Sequence, residues 1–564
     1  MKHRLELKII ISIVLLGMAI YSNALWAGFV WDDFNLVVNN SLIKSFKNLG
    51  TIFISQLTAN SDYYRPMLAF SFILDHCLYK LQPWGYHLTS ITLHILNAAL
   101  VFLIVSIIAK DLLVSACCAL LFIAAPFHSE AVTYISGRAD LLAGVFILSA
   151  FLFYLKERYV IALLSFTLSL LSRESAVVFP LVVILYDLCS KQQFAKQAKY
   201  YFLFFSIDCA YIVLRITIFN FLGVALFTRK INFYYGLDFA ARMLTCIKST
   251  VEYLGIIFWP VNLHMEREVK IADNLLHPSV LLFFFIVVAC LYLIVHWRQK
   301  RNLIIFGLLW FLILLLPQSG LIFPLVFAEH FLYLPSIGIF LAISIFLAAM
   351  WQRRLTPFFL GAGIVFYATL TVFQNTRWLD MPTFYKWTLR FSPTSGRVHL
   401  FLGDHYANNG SWDAAVEEYR EATKYFNDSL SGFAQYKGSR KRFDESNTLM
   451  LAMIHYNLGT VLAKKNLLAD SEREYIYSIG LNPKLTDAYN NLGCLYLKQG
   501  KPEKAESIFQ KALENQLVSD QIYYHLGVVY AQKGNLEKAR FFWGKALSIN
   551  PDYRHAREAL ERLH

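Results

Sequence analysis

The feature that most constrains this chain is a succession of long apolar segments, each bounded by charged residues or proline. A run of about 20 apolar residues can cross a bilayer as a helix, because a helix satisfies its own backbone polar groups inside lipid. The sequence therefore predicts an all-α, polytopic membrane domain over residues 1–391. Its roughly eleven predicted spans are 9–28, 86–108, 111–126, 138–155, 159–172, 175–190, 199–220, 278–297, 303–318, 326–349 and 356–374.

The distribution of charge indicates which loops face the cytoplasm. The net charge is +13, yet residues 392–564 hold 22 Lys and Arg against 20 Asp and Glu, so the excess lies in the apolar part. Basic clusters recur on alternate loops, which the positive-inside rule places in the cytoplasm. The first outer loop (29–85), the outer loop 221–277 and the segment after 375 are then expected outside. This use of basic residues indicates membrane topology and predicts no nucleic-acid partner.

The amino-terminal segment has two interpretations. "KHRLELK", an apolar core and "SNA" (22–24) fit a cleaved signal peptide. Because the apolar run continues through Ala27, a retained membrane anchor is favoured. The eight cysteines show no CxxC spacing and most lie inside apolar runs, so they predict neither a zinc site nor a disulfide framework.

The carboxy-terminal part has the pattern of a helical repeat. "YNLG", "NNLG" and "YHLG" place Gly459, Gly493 and Gly527 at intervals of 34 residues, which is the period of tetratricopeptide repeats. An earlier unit at 399–422 precedes a polar insert near 424–447. We therefore predict an α-solenoid of about four repeats over residues 392–564, with a protein partner bound to it.

Acidic and basic residues recur at the expected outer ends of the spans. Two adjacent carboxylates, Asp32 and Asp33, follow the first span in "GFVWDDFNLVVNN". A single charged residue at a helix end is usually an interfacial anchor, but recurrence in most outer loops indicates a cavity for a charged, partly lipidic ligand. The other members are Arg65, His128, Glu130, Arg138, Asp140, Arg173, Glu174, Glu329, His330 and Tyr333.

Several of these motifs occur together and in order. The chain reads "FVWDDFNLVVNN", "YYRPM", "PFHSEAVTYISGRADLLA", "SRESAVVFP" and "AEHFLYLPSIG", and tetratricopeptide repeats follow. In this it resembles the transmembrane-and-tetratricopeptide-repeat O-mannosyltransferases of the GT-C glycosyltransferase superfamily, as a bacterial-type member. Phe127 and Ser129 depart from the family, in which Val and Thr are frequent. The repeat array is short and interrupted, so the protein acceptor of animal members does not carry over.

The resemblance implies a reaction and a set of roles. A mannose-like sugar would move, with inversion, from a polyprenyl phosphate to a hydroxyl of a protein or glycan on the non-cytoplasmic face. Asp32 would act as general base and Asp33 would orient the acceptor or assist. No cofactor is certain, and a divalent cation at the pair remains an alternative. Arg65, Arg138 and Arg173 would bind the donor phosphate, with support from His128, Glu130, Asp140, Glu174, Glu329, His330 and Tyr333.

The resemblance implies a multi-pass protein of a bacterial inner membrane, in contact with membrane lipids. Its site and its repeats would lie in the periplasm. Two other functions remain open at this stage. One is a non-catalytic membrane scaffold whose repeats assemble machinery for envelope-glycan or protein export. The other is a transporter of lipid-linked sugars, for which midplane charges are expected. Asp208 is the only clear deep acid, which disfavours transport.

Overall fold

The computed structural model describes residues 2–57, 64–190, 194–217, 239–267, 271–272, 274–319, 327–351, 356–432 and 440–562. Parts of five predicted segments lie outside these ranges: 58–63 of the first outer loop, 218–220 of the span 199–220, 221–238, 268–270 and 273 of the outer loop 221–277, 326 of the span 326–349, and 433–439 of the polar insert. Within the described ranges the chain is helical and contains no strand, so the all-α prediction is confirmed. The chain divides into two compact units, residues 1–392 and 393–564.

The first unit is a helical bundle. Its early helices are α1 (Lys2–Tyr21), α2 (Leu49–Ile52), α3 (Pro66–Tyr79), α4 (Pro83–Ala109), α5 (Leu112–Ala124), α6 (Ser129–Val132), α7 (Arg138–Leu155), α8 (Tyr159–Leu170), α9 (Phe179–Ser190) and α10 (Phe194–Thr217). Its later α-helices span Phe239–Phe258, Pro278–His296, Arg301–Leu315, Ser336–Ala349, Thr356–Asn375 and Met381–Phe391.

Seven helical segments among the described residues are long and apolar enough to cross a membrane. A bent pair, Leu112–Ala124 with Pro126–Val132, would make an eighth span. The predicted count of about eleven is therefore not confirmed. The runs 159–172 and 326–349 form helices of 12 and 14 residues, which at about 1.5 Å per residue are shorter than a bilayer core of about 30 Å. The seven segments are His3–Trp26, Pro83–Ala109, Ile135–Leu155, Lys196–Thr217, Pro278–His296, Arg301–Gln318 and Thr356–Trp378.

The first outer loop contains a folded layer that the hydropathy pattern did not predict. Helix α3 begins at Pro66, which suits the first helical position because its missing N–H needs no partner there. Leu68 and Phe72 of α3 are fully buried and pack in one core cluster with Tyr86 of α4 and with Ile135. This layer covers the ends of α4 and α7 and brings the segments around residues 30–40 and 65–75 together.

Among the described residues of the second unit, four consecutive helix pairs are followed by a final helix. In each pair a glycine of the first helix faces an aromatic residue 16 positions later on the second. A Cβ atom on Gly459, for example, would lie 2.9 Å from the Tyr475 ring. The helices span Gly396–Asn408, Trp412–Gly432, Arg440–Lys464, Leu468–Leu481, Thr486–Lys498, Pro502–Glu514, Asp520–Gln532, Leu536–Ile549 and Arg554–Glu561.

This contact gives a stability prediction. A Cβ atom on Gly493 would overlap the buried Phe509 ring, and such overpacking costs about 1–3 kcal/mol. We expect Gly493→Ala to lower the thermal midpoint of the full chain, followed by circular dichroism. Gly544→Ala is the matched control, because nothing lies within 4 Å of its added Cβ and alanine favours a helix. Equal midpoints for the two variants would contradict the prediction.

Candidate functional site

The acidic pair, Asp32 and Asp33, lies on a turn that follows the first helix. The side chain of Asp33 holds this turn in place. Trp31 has φ +52°, a left-handed conformation that is rare for a bulky residue. Asp33 Oδ2 accepts a hydrogen bond from the Val30 N–H at 3.0 Å. Its Oδ1 accepts from the Ser136 N–H at 2.8 Å and from the Ser136 hydroxyl at 2.5 Å. Asp33 thus joins the turn to the segment that precedes α7.

The two carboxylates differ in accessibility. Asp33 is fully buried, whereas Asp32 is exposed. Burial, opposed by its three hydrogen bonds and aided by the negative charge of Asp32, raises the pKa of Asp33 to about 7. An exposed carboxylate can reach an acceptor hydroxyl, and a buried one with three donors holds backbone geometry. The arrangement therefore favours Asp32 as the reacting group and Asp33 as its support.

The segment that receives Asp33 also carries other predicted residues. Ser136 and Asp140 are four positions apart, so a single turn at the start of α7 links the acidic pair to Asp140. Gly137 lies between them, and a Cβ atom there would overlap the carbonyl oxygen of Glu130. The close approach of "SGRAD" to α6 thus depends on glycine and places Glu130 beside this turn.

Six of the predicted site residues form three pairs between different elements. Arg65 binds Glu174 through two bonds, Nη2 to Oε1 at 2.6 Å and Nε to Oε2 at 3.1 Å. Such a bidentate geometry is the strong form of a guanidinium–carboxylate contact, and Arg65 holds the pKa of Glu174 well below its usual range despite burial. The three pairs are Arg65–Glu174, Arg173–Asp140 and Glu130–His330.

The pairs are close enough to interact electrostatically. Asp140 interacts with Arg173 and also with His330 and Arg65. His330 Nδ1 lies 2.7 Å from Glu130 Oε1, and its backbone N–H donates to Oε2 at 3.0 Å. A cavity of about 30 Å³ lies against Asp140 and His330. These residues therefore form one charged group at the ends of several helices.

Glu329 extends this group toward the loop after the helix Phe239–Phe258. Its Oε1 accepts from the Arg267 Nη2 at 2.8 Å and from the His264 N–H at 2.8 Å. Burial raises the pKa of Glu329, an effect that Glu130 adds to and Arg267 opposes. Glu329 is therefore held in place by the loop that contains His264 and Arg267, which lies more than 60 residues earlier in the sequence.

Three other predicted residues are buried and bind partners outside this charged group. Arg138 is fully buried, pairs with Asp75 at 2.6 Å and donates to the Tyr86 carbonyl at 2.7 Å. The Tyr333 hydroxyl contacts two groups of α4, and His128 Nε2 lies 3.2 Å from the Ser336 hydroxyl oxygen. None of these three is in contact with the acidic pair through the bonds described, and their partners lie on α3, α4 and the helix Ser336–Ala349.

Several residues of the site escaped the sequence interpretation. Ser136 lies within the motif "PFHSEAVTYISGRADLLA" and Arg267 within the outer loop 221–277, but neither belongs to the predicted set of site residues. Asp75 was hidden in a segment treated as loop. A search for polar residues within the quoted motifs would have identified Ser136, whereas Arg267 and Asp75 are brought to the site only by the fold.

No group of three or more His, Cys, Asp or Glu side chains that could hold a metal ion occurs among the described residues. A cation between Asp32 and Asp33 would therefore take its remaining ligands from elsewhere. The Asp33 oxygens already accept three hydrogen bonds. This donor set suits a fixed carboxylate better than a metal ligand.

Known proteins are similar in sequence to both units of the chain. The family model of the tetratricopeptide repeat matches residues 490–554. Protein O-mannosyl-transferase TMTC3 of Homo sapiens is 24% identical over 596 residues, covering 90% of this chain and 64% of that protein. Protein O-mannosyl-transferase F38B6.6 of Caenorhabditis elegans is 26% identical over 448 residues, 73% of this chain and 62% of the relative.

A shorter match is closer in sequence. Protein O-mannosyl-transferase TMTC2 of Homo sapiens is 34% identical over 149 residues, which cover 25% of this chain and 18% of that protein. The chain spans about 64% of the length of TMTC3. The family resemblance predicted from the motifs is therefore confirmed: over most of its length this chain is similar to protein O-mannosyl-transferases, and its second unit matches the tetratricopeptide-repeat model.

Proposed function

We propose that this protein is an integral-membrane glycosyltransferase. It moves a mannose-like sugar from a polyprenyl-phosphate donor to a hydroxyl of a protein or glycan, with inversion, on the non-cytoplasmic face of a bacterial inner membrane. The observation that carries the proposal is the exposed Asp32 on a turn that the buried Asp33 ties to Ser136. The names of the relatives support the same class of reaction.

In this reaction Asp32 takes the proton of the acceptor hydroxyl as that oxygen attacks the anomeric carbon. Asp33 stays in place and holds the turn through its three hydrogen bonds. The attack comes from the face opposite the leaving phosphate, which produces inversion. The charge that develops on that phosphate is stabilised by guanidinium groups arranged in advance.

Arg65 and Arg173 are the guanidiniums best placed for the phosphate. Each pairs with a carboxylate, Glu174 or Asp140, and each remains slightly exposed. A donor phosphate would share these guanidiniums with their carboxylates, because an arginine carries five N–H donors. Arg138, which the resemblance also nominates, is enclosed by protein partners, and we propose a structural role for it.

The proposed sidedness makes a prediction about protease access. If the basic loops are cytoplasmic, residues 393–564 lie outside. Protease added to sealed, right-side-out membranes should then digest the repeat unit and leave a tag inserted at 191–193 intact. Tags are read by immunoblotting, with detergent-opened membranes as the control in which both are cut. Protection of the repeats in sealed membranes would overturn the topology and the side of the site.

The reaction itself is tested with the purified full chain. It is incubated with labelled polyprenyl-phosphate sugars (mannose, glucose, N-acetylglucosamine) and a hydroxyl acceptor, and the anomeric configuration of the product is determined by NMR. Transfer from the mannose donor with inverted configuration supports the proposal. Chelator sensitivity would assign a divalent cation to the reaction. Absence of transfer from every donor would favour the non-catalytic scaffold.

A further inference from the structure

Two arginines at the end of the last long apolar segment converge on one indole ring. The guanidinium carbon of Arg377 lies 3.8 Å from the centroid of Trp387, and that of Arg390 lies 5.7 Å from the same centroid. The Trp387 Nε1–H donates to the carbonyl of Leu263 at 2.8 Å. The indole ring is therefore fixed by its own hydrogen bond, and two positively charged guanidinium groups lie next to it.

Neither arginine has a counter-charge among the described residues: no hydrogen bond or ion pair is formed by Arg377 or Arg390 there. The arginines of the candidate site, in contrast, each pair with a carboxylate. Two like charges on one ring repel each other, and cation–π attraction offsets only part of that repulsion. The arrangement therefore has the charge of an anion site.

The position of this arginine pair is that of a membrane interface. The apolar segment Thr356–Trp378 ends at the residue after Arg377. The helix Met381–Phe391 follows, burying Phe384, Tyr385 and Thr388 while Arg390 is exposed. A helix with one buried face and a basic exposed face, next to the end of a span, lies at head-group level.

We propose that Arg377, Arg390 and Trp387 form a binding site for a lipid phosphate in the outer leaflet. The guanidiniums donate hydrogen bonds to the phosphate oxygens, and the indole holds both planes in position. The phosphate can belong to an anionic phospholipid or to a polyprenyl phosphate, since both present the same oxygens. The inference rests on membrane insertion of Thr356–Trp378 and, for the leaflet, on the proposed sidedness, and it is independent of the transfer reaction.

Native mass spectrometry of the full chain in detergent tests the site. Phosphatidylglycerol, a polyprenyl monophosphate and diacylglycerol, which lacks phosphate, are titrated separately. We expect the variant Arg377→Gln/Arg390→Gln to need about tenfold more of at least one phosphate lipid for half-saturation. Diacylglycerol retention should be unchanged. The phosphate lipid with the larger shift identifies the source.

Two further variants make the result specific. Arg420→Gln/Arg473→Gln removes the same charge from exposed positions of the repeat helices and should leave retention unchanged. Arg377→Lys/Arg390→Lys keeps the charge and loses the planar fork, so an intermediate affinity is expected. Equal half-saturation of wild type and the glutamine variant overturns the proposal. An equal loss of diacylglycerol also overturns it, because the effect would then be one of apolar packing.

Discussion

Replacement of Asp32 by asparagine should lower the transfer rate about 10²–10⁴-fold, or roughly 3–5 kcal/mol. Asparagine keeps the size of the side chain but cannot take the acceptor proton. Because Asp32 is exposed, the substitution should leave the fold unchanged. Donor binding should also change little, since the phosphate contacts belong to other residues. Initial rates at saturating donor, together with circular dichroism, separate these effects.

The neighbouring position distinguishes a base from a metal site. The two carboxylate oxygens of Asp33 accept the three hydrogen bonds that fix the turn. Asp33→Asn replaces one of these oxygens by an NH₂ group, which cannot accept. A smaller loss than that of Asp32→Asn is expected, with insensitivity to chelator. Equal losses for both variants, combined with inactivation by chelator, would indicate that the pair holds a cation.

Asp380→Asn is the matched control for both. Asp380 caps the helix Met381–Phe391 from an exposed position, and asparagine is an equally good cap, so wild-type activity is expected. A folded Asp32→Asn protein with full transfer activity would show that the turn is only a solvated loop. The base would then have to be sought at Glu130 or Asp140.

Much of the fold is accessible from the sequence because two of its signals are local. An apolar run specifies a helix by itself, as at 86–108, which lies within α4. The 34-residue spacing of Gly459, Gly493 and Gly527 likewise reports a contact made within each helix pair. Helix α3 was missed because its apolar run of 14 residues, which contains the buried Asp75, is too short to be counted as a membrane span.

The sequence indicates which residues belong to the candidate site, but it does not indicate which of them bind each other. Arg65 and Glu174 were both identified as outer polar residues, and yet their separation along the chain gives no sign that they bind each other. The pairing depends on how α3 packs against the connection between α8 and α9. The same holds for Arg138, whose position in "GRAD" resembles that of Asp140 although its side chain is buried in another network.

Replacement of Arg138 by methionine should cost about 3–5 kcal/mol of stability, because it leaves the Asp75 carboxylate buried without its counter-charge. Asp75 and Arg138 are both almost completely buried, 2.6 Å apart. Burial already raises the pKa of Asp75 while Arg138 lowers it. The thermal midpoint of the full chain, measured in detergent, should fall accordingly.

The pH dependence of this loss follows from the same pair. Without Arg138 the pKa of Asp75 rises further above its unfolded value, so the folded variant binds a proton more readily than the unfolded chain does. Stability of the variant therefore increases as the pH falls, relative to wild type. We expect the difference in midpoint to be smaller at about pH 5 than at about pH 8.

A second substitution separates structure from substrate binding. In Arg138→Met/Asp75→Leu both charges are removed, and replacement of a buried pair by apolar residues is often neutral. The double variant should regain most of the lost stability and, if Arg138 is structural, the donor KM of wild type as well. Recovered stability with a donor KM that stays raised would instead show that the Arg138 guanidinium binds the donor phosphate. Its burial among Asp75, Tyr86 and Ser90 favours the first result.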